Sequence, residues 1–265
     1  MRRFLLPLFL ALLAGSSAQA QGWSAPVRLC DDANEWPPYT YFRRVDGQRS
    51  NELTGYTVEL LRLIAQRRGL ELRIEMLPWK RCVEAVRHGE MLGFLNAIVT
   101  PERKVDFLIS DLLYETRLLA LWSREQHPQG LRVHTQADLA ALRIGGVHGY
   151  SYSQLSDAEQ ARLQRAPHYE SLVQMLHRGR IDVALVNEGV MLGHAALGSP
   201  AFAASASLGQ VALQDRQPSR FHLMYTRAKP EGARLQALVN EELAALQRSG
   251  ELAKLRAQFL GAAGS

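Results

Sequence analysis

Short apolar runs alternate with helix-period stretches along this chain, and that alternation limits the fold more than any single motif does. Residues 27–30, 72–77, 94–99 and 118–122 read as buried strands. Between the first two, Tyr56, Leu60, Leu63 and Ile64 fall on one helix face, and Gly69 ends that helix. Pro78 opens a further helix, which closes at His88-Gly89. A second block follows. Thr135 is expected to cap a short helix reaching Leu142, residues 143–147 and 181–186 read as strands, and residues 171–178 read as helix. After a strand at 221–226, a long helix starts at Pro230 and breaks at Ser249-Gly250. Residues 47–54 read as a turn and 195–210 as a loop of small residues. Strand–helix–strand alternation predicts an α/β fold with largely parallel sheets, and two such blocks predict two lobes.

The amino terminus reads as an export signal. Arg2 and Arg3 precede an apolar run over residues 4–13, and Ala18-Gln19-Ala20 is a small-x-small cleavage site. Cleavage after Ala20 would release an exported chain starting at Gln21. The alternative is a retained membrane anchor, against which the shortness of the apolar run counts. In an oxidising compartment Cys30 and Cys82, the two cysteines present, suggest one disulfide, with a pair of buried thiols as the alternative. They lack the accompanying His pair of a zinc site.

A hydrophobic share of 47% and a charged share of 22% suit a globular protein. The formal charge of +5 falls to +3 once Arg2 and Arg3 leave with the signal. The cations are scattered, with no basic stripe carrying aromatic residues, so nucleic-acid binding is a poor reading.

The groups with chemistry to offer follow strands. Arg103, in Thr100-Pro101-Glu102-Arg103, carries a planar fork of donors suited to a carboxylate. The alternative is a surface arginine paired with Glu102 or Asp106. The glycine-rich stretch from Ile144 to Ser151 is read as a turn at a helix start, with Tyr150 and Ser151 in the first helical positions, where N–H groups receive anions. Its alternative is a plain strand–helix connection. Trp36 and Tyr39 flank Pro37-Pro38 in a stiff aromatic loop that either faces a ligand or packs in the core. Gly149-Tyr150-Ser151-Tyr152-Ser153 lacks the final glycine of a nucleophile elbow, and there is no His-Glu-x-x-His helix. No catalytic residue, cofactor or metal is assigned.

Taken in order, the Trp36-Pro37-Pro38-Tyr39 loop, the Asn96 to Arg103 segment, the glycine-rich junction and the run Gly179 to Asn187 resemble the periplasmic solute-binding proteins of the polar amino-acid type, bacterial extracellular solute-binding protein family 3, over roughly residues 26–260. The resemblance implies a two-lobed type II periplasmic-binding-protein fold, with a ligand cleft between lobes and two hinge crossings. It places lobe one at residues 26–117 plus 222–260 and lobe two at 118–221, with hinges near 117–121 and 221–223. It makes Arg103 the clamp for a carboxylate and the backbone around Ser151, after Gly149, its partner in lobe two. Trp36 or Tyr39 becomes the stacking aromatic, and Asn96 and Ile98 take positions where the family often has small hydroxyl residues. Asn187 stands where the family usually has an ammonium-binding Asp, and Leu92 replaces another common Asp. The function implied is capture of a small polar, carboxylate-bearing solute in the periplasm for the membrane permease of an ABC transporter, by a monomer. The alternatives are a sensory module of the same fold reporting to a membrane sensor, and an enzyme using Glu188 or His148.

Overall fold

In the first series of elements the chain runs from β1 (Val27–Asp32) through a hairpin, β2 (Tyr41–Val45) and β3 (Gln48–Thr54), into α1 (Tyr56–Arg68). It continues through β4 (Leu72–Leu77), α2 (Trp79–Arg87), β5 (Gly93–Ile98), α3 (Pro101–Asp106), β6 (Phe107–Ile109) and β7 (Tyr114–Thr116). The second series is β8 (Leu118–Ser123), β9 (Ile144–Val147), α4 (Asp157–Arg162), β10 (Gln164–Ala166), α5 (Tyr169–His177), β11 (Val183–Asn187), α6 (Glu188–Ala196), α7 (Pro200–Ala203) and β12 (Leu208–Ala212). The chain closes with β13 (Ser219–Thr226), α8 (Pro230–Ser249) and α9 (Glu251–Leu260). This architecture comes from a computed structural model that describes residues 23, 25–152, 155–203 and 205–261. The expected export signal and its cleavage point after Ala20 lie outside the described residues.

Among the described residues the strands form one sheet ordered β4-β1-β5-β13-β6, with β7 on β13, and another ordered β10-β9-β11-β8-β12. Each sheet is the centre of one lobe. β1 runs parallel to β4 and β5, while β13 lies antiparallel to β5, β6 and β7. The parallel arrangement follows from the helices: α1 returns the chain from β1 to β4 and α2 from β4 to β5, each packing its apolar face on the sheet. Tyr56, Leu60 and Ile64 of α1 are buried as their spacing predicts, and Gly69, at φ 63°, closes that helix.

The chain passes between sheets at Arg117, between β7 and β8, and returns through residues 213–218. Phe221–Leu223, expected as the second hinge, instead lies inside β13. Ser219, Arg220 and Phe221 already pair with Thr116, Glu115 and Tyr114, so the strand is committed to the first sheet before that point.

Cys30 and Cys82 form a disulfide, with Cα atoms 5.8 Å apart. It ties α2 to the end of β1, and both cysteines are fully buried.

Three local expectations change. Residues 47–54 are not a turn but β3, paired antiparallel with β2. The strand is polar and mostly exposed, so hydropathy hides it. The readable signal is Asp46-Gly47, both at positive φ, which suits a tight hairpin turn. Residues 195–210 include the end of α6, α7 and β12, an edge strand antiparallel to β8. Thr135 does not cap: the 3-10 helix spans Ala137–Ala141 after Gln136, and Asp138 accepts from the N–H groups of His134 and Thr135.

Candidate functional site

A cleft opens between the lobes where β1, β5 and β11 end, at the carboxyl ends of strands that run parallel within their own sheets. Asp32, Trp36, Asn96, Ile98 and Arg103 line it from the first lobe, and Tyr150, Ser151 and Asn187 from the second.

Arg103 reaches this cleft because of how α3 begins. Thr100 caps the helix by accepting from the Arg103 N–H at 3.3 Å, with Pro101 in the first turn. The helix start directs the guanidinium back over β5, where Nη1 donates to the Ile98 carbonyl at 2.8 Å. The same group lies 5.4 Å from the Trp79 ring. Among the described residues no carboxylate is in ion-pair range of it. Asp106, one candidate surface partner, pairs with Arg87 instead. Burial pulls the Arg103 pKa down to about 10, with the charge of Glu102 opposing, so the group stays cationic near neutrality.

Two buried carboxylates at the end of β1 escaped the sequence reading. Asp31 is 1% exposed and Asp32 4%. Asp31 accepts from the Asp32 N–H at 2.9 Å and from Asn96 Nδ2 at 2.6 Å. Burial outweighs these bonds and pushes its pKa up to about 7. Asp32 is also raised by burial. Its Oδ1 accepts from the Asn34 N–H at 3.1 Å, while Oδ2 has no partner. Consecutive acids closing an apolar strand were the available signal, since a strand interior rarely buries a charge without a task for it.

Asn96 lines the cleft, but its side chain is engaged inside the lobe. Nδ2 donates to Asp31 and to Thr40, and Oδ1 accepts from Thr57 and Tyr114. It stands at φ 54°, a left-handed conformation that Asn tolerates better than most residues. Trp36 joins this network by donating from Nε1 to the Tyr114 hydroxyl at 3.0 Å. Its ring meets Tyr150 edge-on at 5.2 Å. Tyr39 does not line the cleft. It is buried and stacked on Tyr114 with ring centres 3.6 Å apart, so of the two candidate aromatics Trp36 alone faces the cavity.

In the second lobe the expected helix start is absent. No helix begins at Gly149, Tyr150 or Ser151; α4 starts at Asp157 and is capped by Ser156. Gly145 and Gly146 lie within β9 and serve packing. A Cβ on Gly146 would sit 2.5 Å from the Tyr152 ring, whose hydroxyl accepts from the Val147 N–H. Gly149, at φ 82°, lines the mouth and not the inner cavity. Tyr150 and Ser151 do reach the cavity, in a turn that needs no helix dipole. The Tyr150 hydroxyl faces the Asp32 carboxylate and interacts with it beyond normal hydrogen-bond length, while Asn187 Oδ1 has no partner. Glu188 turns away and pairs with Arg117, and Leu92 packs against the core while its backbone bonds to Arg28 and Thr226.

Residues 30–262 match the bacterial extracellular solute-binding proteins, family 3. The chain belongs to this family. Within it, the arginine-binding extracellular protein ArtP of Bacillus subtilis (strain 168) is 20% identical over 201 residues, covering 73% of this chain and 76% of ArtP. Among solved structures, the substrate binding protein of an amino acid ABC transporter superposes with a TM-score of 0.70 at 18% identity, covering 89% of this chain and 99% of the other. A histidine kinase sensor domain with similarity to periplasmic binding proteins superposes with a TM-score of 0.72, also at 18% identity, over 89% and 96% of the two chains. This family-3 protein therefore shares its two-lobed fold with both transport and sensory proteins.

Proposed function

We propose that this protein captures a small polar solute bearing a carboxylate and a separate hydrogen-bond donor, in most cases an ammonium, and presents it to an ABC permease. The observation that carries this reading is the set of unsatisfied groups around one cleft. Asn187 Oδ1 is buried without a partner, the Asp32 carboxylate and the Tyr150 hydroxyl have only each other across the cleft, beyond normal hydrogen-bond length, and Arg103 has no carboxylate of its own. Buried polar groups in folded proteins are nearly always paired with protein, water or ligand, so these are the groups that a solute in the cleft would satisfy. A solute carboxylate matches the Arg103 fork. A cationic or amide donor matches Asp32 and Asn187, and Trp36 covers the solute body.

Arg103 and Asp32 lie in one lobe, Tyr150 and Asn187 in the other, so the solute contacts both and favours their closure. The permease then recognises the closed form. The protein acts in the periplasm as a monomer, after cleavage following Ala20, and performs no reaction on the solute. The expected lobes, residues 26–117 with 222–260 and residues 118–221, become 26–117 with 219–260 and 118–212, joined through Arg117 and residues 213–218. The likeness to a histidine kinase sensor domain favours a second reading, in which the closed form docks on a membrane sensor.

The test is a thermal-shift screen of refolded protein against L-amino acids, dicarboxylates, keto acids and polyamines. A solute at a hundred times its Kd raises stability by about 2.7 kcal/mol. Hits confined to carboxylates with an amino or amide donor, abolished in Arg103→Ala, support the reading. Hits that survive Arg103→Ala reject the clamp. Transport of the hit solute by vesicles carrying the cognate permease separates the carrier from the sensor.

A further inference from the structure

Beyond Trp79 and Tyr150, which border both regions, the cleft widens into a mouth lined by Lys80, Arg165, His148 and Pro167. The two lobes contribute opposite walls. Lys80 stands in the first turn of α2, which the Cys30–Cys82 bridge fastens to β1. Arg165 stands in β10, whose neighbour β9 leads into the Tyr150 turn.

The mouth has cations without matching anions. Among the described residues no carboxylate lies in ion-pair range of Lys80 or Arg165. Arg165 donates to the carbonyls of Tyr150 at 3.2 Å and Val147 at 3.4 Å, and its guanidinium lies 5.7 Å from the centre of the Tyr152 ring. Glu84, which also lines the mouth, is paired with Arg87 and lies 3.6 Å from His88. Asp32 borders the mouth but is buried and faces the inner cavity. The mouth therefore carries a cation without a carboxylate partner on each wall, and an anion placed between them meets attraction from both.

We propose that the bound solute carries a second anionic group, distal to the carboxylate on Arg103, and that this group sits in the mouth between Lys80 and Arg165. The solute class is then an acidic one, such as an amino dicarboxylic acid. The distal anion bridges the lobes and couples solute charge to closure. A cationic side chain meets repulsion in the same place. The inference rests on the inner-cleft reading given above, and one experiment separates the two.

Titration calorimetry on refolded protein uses L-glutamate, its longer homologue L-2-aminoadipate, L-glutamine and L-arginine as probes. One of the two acidic probes is expected to bind at least about tenfold tighter than L-glutamine, with a preference that shrinks as salt rises. The double variant Lys80→Gln/Arg165→Gln is expected to erase that preference while L-glutamine affinity stays within about twofold. Both residues are exposed on the mouth, and a thermal melt of the variant checks its fold. If L-glutamine or L-arginine binds as tightly as the better of the two acids, or the double variant keeps the preference, the distal-anion proposal is overturned and the inner-cleft reading stands. If none of the four binds, both fall.

Discussion

The Asp32 carboxylate and the Tyr150 hydroxyl face each other from opposite lobes, both buried, and each has the other as its one partner across the cleft, beyond normal hydrogen-bond length. One comes from the end of the first strand, the other from a turn more than a hundred residues later. The fold thus brings a carboxylate of one lobe against a hydroxyl of the other at the cleft.

Asp32→Asn separates binding from stability. Without ligand the carboxylate has lost water and gained one backbone bond, so the neutral amide is expected to leave the free protein equally stable or more so at pH 8, by up to about 1 kcal/mol. Affinity for an ammonium-bearing solute should fall roughly a hundredfold, about 2.7 kcal/mol. Urea melts and calorimetry check the two halves, and unchanged affinity would remove Asp32 from the site.

Asp31 makes stability depend on pH. Burial raises its pKa from 3.8 to about 7, so the folded protein holds this proton more tightly than the unfolded chain. Its stabilising contribution is complete below about pH 4 and is lost as pH rises to about 7, with a slope of roughly 1.4 kcal/mol per pH unit between those limits. Comparing urea midpoints from pH 4 to 8 should show a shallower decline in Asp31→Asn. A parallel pair of curves would mean that Asp31 is not the group responsible.

Gly193→Ala tests the contact between the lobes behind the cleft. A Cβ at Gly193 would sit 2.4 Å from the Pro37 carbonyl carbon and 2.6 Å from Pro38 N, backbone atoms of the loop that carries Trp36. The loop or α6 must shift, at about 1–3 kcal/mol. The expected result is a larger radius of gyration by X-ray scattering with saturating solute, and weaker binding. Native compaction and affinity would show that the contact does not support closure.

Removing the Cys30–Cys82 bridge should cost about 4 kcal/mol by the chain-entropy relation for a 52-residue separation. Cys30→Ala/Cys82→Ala is the variant to melt. Thiol titration of unreduced, denatured native protein should give none; two free thiols would contradict the bridge.

The sequence by itself determined the layered α/β architecture, because burying both faces of a parallel strand leaves an unbroken apolar run and packing a helix on a sheet leaves a 3.6-residue period. Both patterns are written locally, as β5 and α1 show. It left Arg103 open between the surface and the cleft, with only the family resemblance favouring the cleft; the Thr100 cap and the bond to the Ile98 carbonyl, which direct that side chain, belong to the folded structure. What it did not determine depends on distant pairings. β3 is held by its partner β2 and not by its own polar residues. Tyr39 and Trp36 occupy the same short loop, yet stacking on Tyr114 sends one into the core, while a hydrogen bond to that tyrosine holds the other over the cleft. The glycines of β9 look like an anion loop in sequence and prove to be space for Tyr152. The raised pKa of Asp31 arises from burial among Thr40, Asn96 and Asp32, which are distant from one another in sequence or brought together only by the sheet, and burial on that scale is a property of the assembled fold.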